Sequence, residues 1–338
     1  MPLPDEDGVV HQHDEHFEKL PFSMQIANLI AVILPPVCLV IGMLLLWGSG
    51  FTLTHLILMT LMYLFTGYGI TVGYHRYFTH KSFEAPGWVK NGLAILGSMA
   101  AEGPLLRWVA QHRQHHQHSD KHDDPHSPHL HGGGVWALMK GLWHAHAGWM
   151  FKPDAPNLHR YVVDLANDRS LVWISRLFPV WVGLGLAIPA VIGGLLTMSW
   201  AGVLLGLVWG GIIRIGVVHH ITWSVNSICH VWGTQPFRTH DHSKNNGIVG
   251  VLALGEGWHN NHHAFPTSAR HGLRWWEFDS SYIIIWVMEK LGMARKVRVP
   301  TNEMMEAKRA DRTSRTIAVQ PEYAAVMAAA AGDTAGRP

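Results

Sequence analysis

The chain has 338 residues, of which 48% are hydrophobic and 15% are charged, where soluble proteins usually carry ~25% charged residues. This deficit of charge favours a membrane protein. The net charge of +2 gives no support for a nucleic-acid partner. Two cysteines, Cys38 and Cys229, provide neither a disulfide framework nor a Cys-rich zinc pattern. Histidine is the outlier with 26 copies, and its spacing carries the functional interpretation.

Two long uncharged stretches predict four membrane-spanning helices, because a span needs about 20 apolar residues. Residues 20–75 and 177–213 contain no Lys, Arg, Asp or Glu, and each stretch is long enough for two spans. Arg214, near the end of the second pair, is expected to extend towards the membrane interface. The predicted spans are about 25–47, 52–74, 177–197 and 201–221.

The rest of the chain predicts a polar cap between two tails. One domain is expected over 25–300, with its cap in 75–176 and 222–300. Residues 1–24 and 301–338 are expected to be an N-terminal tail and a flexible C-terminal tail. Lys and Arg concentrate outside the short links between spans, so the positive-inside rule places both termini and the cap in the cytoplasm. The predicted fold class is an all-α integral membrane protein with four transmembrane helices and a helical cytoplasmic cap.

Histidines cluster where the predicted spans meet the cap. Two clusters have the spacing i, i+3, i+4, which places three side chains on one helical face. Neutral imidazole suits Fe, Zn, Cu and Ni, and nine histidines exceed the four ligands of one structural zinc. The pattern therefore predicts a site for two metals just above the membrane surface, where it could act on a chain from the lipid phase. The nine are His75, His80, His112, His115, His116, His230, His259, His262 and His263, with Asn226 one turn before His230.

The ordered motifs resemble those of the membrane-bound acyl-CoA (stearoyl-CoA-type) Δ9 fatty acid desaturases over about residues 20–300. The motifs are His75-Arg76-x-x-x-His80, His112-Arg113-x-His115-His116, Asn226-Ser227-x-x-His230 and Gly255-Glu256-Gly257-Trp258-His259-Asn260-x-His262-His263. The resemblance implies a diiron centre held by the nine histidines and by a water on Asn226. It also implies that O2 and two external electrons remove two hydrogens from an acyl-CoA and leave a cis double bond.

The resemblance also implies roles for individual residues. Trp108 and Thr222 would line the bend where the acyl chain is cut, and Tyr63 would close the far end of the acyl tunnel. Glu102 stands near this bend, where members of that family usually carry Gln. One iron would be held by His75, His80, His112, His116 and His263. The other would be held by His115, His230, His259, His262 and the water on Asn226.

The electrons are expected to come from a separate protein. The sequence shows no cytochrome b5 motif, no dinucleotide-binding glycine pattern and no cysteine cluster for iron–sulfur. A ferredoxin, a rubredoxin or a cytochrome b5 with an NAD(P)H reductase would serve. Basic cap residues such as Arg295, Lys296 and Arg298 are candidates for docking an acidic donor or the phosphates of CoA.

Several alternatives stay open at this point. The same site would suit an acyl-lipid or acyl-carrier-protein desaturase, or a fatty acyl hydroxylase. A metal transporter is a remote alternative, because transporters place ligands near the bilayer midplane, whereas here only His55 lies inside a predicted span and His219 and His220 lie at the end of one. Asp120, Asp123 and Asp124 would either hydrogen-bond ligand imidazoles or belong to a solvated loop.

Overall fold

The computed structural model describes residues 17–46, 52–152 and 154–310, which are mostly helical. Most of the predicted N-terminal tail, the predicted link near 48–51 and residues 311–338 of the predicted C-terminal tail lie outside the described residues. The first half of the chain forms β1 (Phe17–Lys19), α1 (Phe22–Leu46), α2 (Leu53–Tyr68), the π-helix π1 (Gly69–Thr79), α3 (Gly87–Met99), α4 (Leu105–His118), α5 (Val135–His146), the 3₁₀ turn Gly148–Phe151 and β2 (Asp154–Pro156).

The two strands, β1 and β2, pair antiparallel and form the one sheet among the described residues. The second half of the chain is helical. Its elements are α6 (Leu158–Tyr161), α7 (Val163–Ala166), α8 (Arg169–Arg176), α9 (Phe178–Thr197), α10 (Trp200–Leu205), the π-helix π2 (Gly206–Ile213), α11 (Arg214–Ser227), the 3₁₀ turn Ile228–His230, α12 (Gly247–Leu252), α13 (His259–Ala264), α14 (Ser280–Lys290) and α15 (Asn302–Ala307).

Four helices of the described chain are long and apolar enough to cross a membrane, which confirms the predicted four-span fold class. They cover Phe22–Gly42, Leu53–Thr79, Phe178–Thr197 and Trp200–His230. The second and fourth run further than predicted, to Thr79 and His230. The chain thus runs into two histidine motifs without a break in helical structure, which places both motifs at the ends of apolar helices.

The long helices approach one another through glycines. A Cβ at Gly69, where π1 begins, would lie 2.2 Å from the backbone nitrogen of Gly97 in α3, and one at Gly206 would lie 2.2 Å from the carbonyl oxygen of Pro189 in α9. Neither contact leaves room for a side chain. Small residues allow such close backbone approach in membrane helix bundles. The first contact matters for the site, because it seats π1 against the cap.

The expectation that Arg214 extends to the membrane interface is wrong. Its side chain is fully buried and donates to three backbone carbonyls, those of Gly210, Met99 and Gly185, at 2.9 to 3.2 Å. Burying a charge without such partners would be costly. The guanidinium instead joins α9 and α11 to the end of α3, next to the cap.

Candidate metal centre

The first two histidines converge because their segment is a π-helix. In an α-helix, residues five apart point ~140° away from each other, at 3.6 residues per turn. A π-helix bonds residue i to residue i+5, so that residues five apart share one face. The backbone N–H of His80 donates to the carbonyl of His75 over 3.2 Å, and the two ring centroids lie 4.9 Å apart.

Two further helices each deliver histidines to two adjacent clusters. On α4, His112 and His116 lie one turn apart and His115 faces another way; on α13, His259 and His263 form the equivalent pair. The first cluster contains His75, His80, His112, His116 and His262, and the second contains His115, His230, His259 and His263. Within each cluster the candidate ligand atoms lie within 4.8 Å of one another.

The division of ligands implied by the resemblance is therefore wrong for two residues, His262 and His263, which exchange clusters. The reason is helical geometry: residues i and i+4 lie closer in angle on a helix than residues i and i+3. His263 accordingly stays with His259, with ring centroids 4.3 Å apart, while His262 turns towards His75, at 4.4 Å.

The ring nitrogens of the two clusters are placed where they could bind cations. Nε2 of His262 lies 3.0 Å from Nε2 of His75 and 2.9 Å from Nε2 of His116, and a similar 3.0 Å pair joins His230 to His259. A proton on one Nε2 atom can form a hydrogen bond within only one of these pairs. In the other pairs, the lone pairs of two nitrogens face each other. The buried Nε2 atoms of His80, His115 and His263 have no hydrogen-bond partner. A metal ion in each cluster would satisfy these atoms, so the residues fit two metals.

Burial and neighbouring imidazoles keep much of the site uncharged. Burial lowers the pKa well below 6.5 for five rings, and nearby histidines lower it further, since a second positive charge would be repelled. The neutral ring is the form that binds metal. The five are His80, His112, His116, His259 and His262.

Four carboxylates orient the rings from behind. Each has an oxygen within 3.0 Å of an Nδ1 atom and leaves the Nε2 of that ring facing the cluster, as partners of metal-bound histidines usually do. Asp120 and Asp124, left open by the sequence, both take this position, whereas Asp123 lies against the exposed His122. The pairs are Glu256 with His75 at 2.7 Å, Asp124 with His115 at 3.0 Å, Asp120 with His230 at 2.9 Å and Asp241 with His263 at 2.6 Å.

Sequence reasoning missed Asp241, Glu256 and His271. Glu256 also lies 3.0 Å from Nδ1 of His271 and 3.3 Å from the guanidinium of the fully buried Arg76. His271 stacks near His262, with ring centroids 4.5 Å apart. Glu256 could have been found from its position three residues before His259. Asp241 and His271 carry no comparable signal, because their sequence distance from the motifs hides them.

A largely apolar cavity of about 710 Å³ reaches the clusters from the membrane side, within the ~300–1,000 Å³ typical of ligand pockets. Trp108, Thr222 and Asn226 line it together with His75 and His259. Tyr63 is not among the described residues that line it. Its hydroxyl donates to the backbone carbonyl of Leu252, and its role as the end of a tunnel stays a prediction.

Glu102 lies at this cavity between Trp108 and Thr222. One carboxylate oxygen accepts from the indole N–H of Trp108 at 3.0 Å, and the other lies 2.6 Å from the hydroxyl oxygen of Thr222. That hydroxyl also lies 2.7 Å from the carbonyl oxygen of Val218. A hydroxyl has one proton, so both short contacts are satisfied together only when Glu102 carries a proton. Burial agrees with this and raises the pKa of Glu102 to about 7.

A second opening, the basic cleft, reaches the clusters without sharing a lining residue with the cavity. It is lined by His80, His116 and His263 and has a volume of about 550 Å³. The one carboxylate among its described lining residues, Asp241, is engaged by His263. The cations along it are Arg113, Lys121, Arg238 and Lys308. An excess of positive charge therefore surrounds the polar access to the ligand rings.

Comparisons with known proteins found a family and relatives that are consistent with a histidine-rich metal centre beside an apolar cavity. The family model described as "Fatty acid desaturase" matches residues 49–297. The chain is 42% identical to a hex-5-enoyl-[acyl-carrier protein] acetylenase of Moorena producens, over 82% of this chain and 87% of the relative. It is 38% identical to an sn-1 stearoyl-lipid 9-desaturase of Synechocystis sp., over 73% of this chain and 73% of the relative. It is 37% identical to an acyl-CoA C20 Delta5-desaturase of Anemone leveillei, over 69% of this chain and 70% of the relative. The chain belongs to the fatty acid desaturase family.

Proposed function

We propose that this protein is an O2-dependent fatty acyl desaturase that introduces a cis double bond, at position 9, into a saturated acyl chain. The observation that carries the proposal is the meeting of an apolar cavity with two histidine clusters at His75 and His259. One O2, two external electrons and two protons would combine with two hydrogens of the chain to give two waters. Position 9 is supported by the name of the Synechocystis relative, a stearoyl-lipid 9-desaturase.

We propose that the metals are two irons, held by the nine histidines and by a water on Asn226. When bound, they would supply the redox chemistry that activates O2 towards an unreactive C–H bond. The chain itself orients the rings through Asp120, Asp124, Asp241 and Glu256 and keeps the acyl chain in an apolar passage. Trp108, whose ring stacks on His112 at 5.2 Å, and Thr222 would position the carbons to be oxidised.

Several versions of this proposal are possible, and they differ in the molecule that carries the acyl chain. The expectation of an acyl-CoA substrate is supported by the name of the Anemone leveillei relative, whereas the other two names refer to a lipid and to an acyl carrier protein. The first of these relatives is named an acetylenase, so a triple bond is a distinct product to look for. A hydroxylated product, by contrast, would be heavier than the substrate by one oxygen.

We propose that an acidic electron-transfer protein binds at the basic cleft. A ferredoxin, a rubredoxin or a cytochrome b5 with its reductase would place its redox group near the edges of His80, His116 and His263. Complementary charge promotes such encounters and fixes their orientation. The basic cleft fits this role better than the surface around Lys296, which is paired with Glu84, because besides Arg113, itself paired with Asp164, three further cations line it beside the ligand rings. We also propose that the cap and both termini face the cytoplasm, since the basic residues concentrate there.

The direct test is expression in a host that supplies a donor, followed by mass spectrometry of cellular fatty acids and measurement of bound iron. We expect a new cis monounsaturated acid and two irons per chain. The variant His262→Ala should lose at least one iron and reduce product at least a hundredfold. The matched control is His122→Ala, because the His122 side chain is 83% exposed and lies outside both clusters.

Two outcomes would overturn the proposal. One is iron-loaded protein with an active donor that forms no unsaturated product from any acyl carrier. The other is undiminished product from His262→Ala. A hydroxylated or acetylenic product would keep the site and replace the reaction.

A further inference from the structure

The short helix α12 carries an apolar face that remains exposed within the described chain. The side chains of Ile248, Val251 and Leu252 are 76%, 52% and 51% exposed. The segment that contains them, residues 245–255, has no Lys, Arg, Asp or Glu. By sequence it was expected within the polar cap of 222–300. Large apolar side chains grouped on an uncharged segment mark a surface that another apolar phase covers.

Two contacts join the end of α12 to the second span. The Tyr63 hydroxyl donates to the carbonyl of Leu252, and Leu254 packs on Gly67, where a Cβ would lie 2.8 Å from the Leu254 side chain. At ~1.5 Å per residue, Tyr63 lies ~15 Å and Gly67 ~21 Å along α2 from its beginning at Leu53. Both heights fall inside a hydrocarbon core of ~30 Å. The end of α12 therefore lies beside the part of α2 that crosses the membrane.

The backbone at the end of α12 has no unpaired carbonyl. The last carbonyls of a helix lack partners within that helix, and in lipid no water can satisfy them. Here every carbonyl from Val249 to Leu254 accepts a hydrogen bond. The donors are the Tyr63 hydroxyl, which serves Leu252, and the backbone N–H groups of Ala253, Leu254, Gly255, Glu256 and Ser281. This end of the helix can lie in hydrocarbon without the cost of an unsatisfied carbonyl.

Exposed aromatic side chains lie next to α12. The ring of Trp258 packs on Gly250, where a Cβ would lie 2.9 Å from it, and its indole N–H donates to the carbonyl of Phe278 at 2.8 Å. Phe278, Trp275 and Trp276 are each at least half exposed. Tryptophan is enriched where a membrane meets water. The apolar face of α12 thus continues into a surface suited to the headgroup region.

We propose that α12 is a re-entrant membrane segment, which enters the leaflet next to the histidine clusters and returns to the cap without crossing. With six residues it is too short to cross. Its two ends are joined, because the N–H of Asn246 donates to the carbonyl of Gly257 at 2.8 Å. The occupant of its exposed face is the acyl region of the bilayer. A soluble donor protein would not reach a surface at the height of Gly67.

The test measures the depth of two positions in the whole protein, reconstituted in vesicles of phosphatidylcholine. Val251→Cys and the matched cap control His122→Cys are each labelled with the fluorophore NBD. Labelling uses a Cys38→Ala background, in which the remaining Cys229 is fully buried. The His122 side chain is 83% exposed. Compared with the control, we expect the Val251→Cys label to be quenched at least fivefold more by 12-doxyl phosphatidylcholine and at least fivefold less by aqueous iodide.

The role of Tyr63 is tested in the same labelled protein. Tyr63→Phe removes the donor to the Leu252 carbonyl, so the end of α12 should move towards water. Iodide quenching of the Val251→Cys label should then rise at least twofold. Unchanged quenching by both reagents would overturn Tyr63 as the residue that holds α12 in the membrane.

Equal iodide quenching of the Val251→Cys and His122→Cys labels would overturn the re-entrant placement. So would a Val251→Cys label that neither quencher reaches, because a second copy or another protein would then cover α12. Ile248→Cys serves as the second position should Val251→Cys fail to fold. These measurements need neither substrate nor turnover, so they decide the placement of α12 separately from the proposed reaction.

Discussion

Replacing Glu102 by Gln should make the protein more stable at alkaline pH and change little at acid pH. A carboxyl group whose pKa rises from 4.5 to about 7 on folding holds its proton more tightly in the folded state. The stability that this proton contributes is complete below pH 4.5 and is lost as the pH rises through 7. The loss is up to about 3 kcal/mol, at about 1.4 kcal/mol for each tenfold change in proton affinity.

A glutamine at this position can keep both contacts at every pH. Its amide N–H₂ would donate to the Thr222 hydroxyl oxygen while that hydroxyl still donates to the Val218 carbonyl, and its oxygen would accept from Trp108. The gain over wild type should therefore be small at pH 5 and approach about 3 kcal/mol at pH 8. Comparing the two proteins at each pH cancels the titration of all other groups.

The measurement is thermal unfolding of both proteins in one detergent, at pH 5 and pH 8 and with identical metal content. Glu84→Gln is the matched control, because Glu84 is exposed and paired with Lys296. A Glu102→Gln gain that is equal at both pH values, within about 0.5 kcal/mol, would refute a protonated Glu102. A gain in the Glu84→Gln control of the same size and pH dependence would refute it as well.

The other predictions concern the site and its surroundings. Asp241→Asn should weaken metal binding about 10–100-fold, because the ring it orients would lose its charged partner, and chelator competition can measure this. Glu306→Gln, whose carboxylate pairs with the exposed Arg309 at 2.8 Å, is the control. Arg238→Glu at the basic cleft should slow reduction by an acidic donor at least tenfold at low salt, as seen by stopped-flow absorbance, whereas Lys140→Glu on α5 should not. Gly69→Ala should destabilise the fold by about 1–3 kcal/mol in thermal unfolding, since its Cβ would meet the backbone of α3.

Each of these has a clear contrary result. Equal metal affinity of Asp241→Asn and wild type would show that the carboxylate does not tune its ring. Equal effects of the charge reversals at Arg238 and Lys140 would remove the basic cleft as a docking surface. An unchanged melting temperature for Gly69→Ala would mean that π1 and α3 can separate without cost.

The sequence predicted correctly those features that depend on residues close together along the chain. Charge-free stretches predicted four spans, because hydrocarbon tolerates few charges over a fixed length. Histidines at i, i+3 and i+4 predicted convergence, because those offsets share a helical face. His75 and His80 were included because they lie where a predicted span meets the cap, although a spacing of five does not converge on an α-helix.

What sequence could not supply depends on contacts between distant segments. The π-helical form of Gly69–Thr79 is set by its neighbours, and so is the partner of each ring. Asp241 was missed because it lies 22 residues before His263, and the path of the chain between them, which includes α12, does not follow from the sequence. Arg214 was misplaced because a cation near the end of a span can either reach water or find buried carbonyls. Only the positions of α3 and α9 decide which.

The π-helix also sets the order in which the protein can be assembled. Long π-helices are rare because their hydrogen bonds alone do not favour them. This one is tied to the far end of the chain: Arg76 pairs with Asp279, 203 residues later, and the hydroxyls of Thr71 and Ser281 lie 2.6 Å apart. During synthesis, the first histidine pair thus emerges long before the residues that hold it in shape. The spans can insert one after another, but the capacity to bind the first metal arrives in a single late step, when α14 docks.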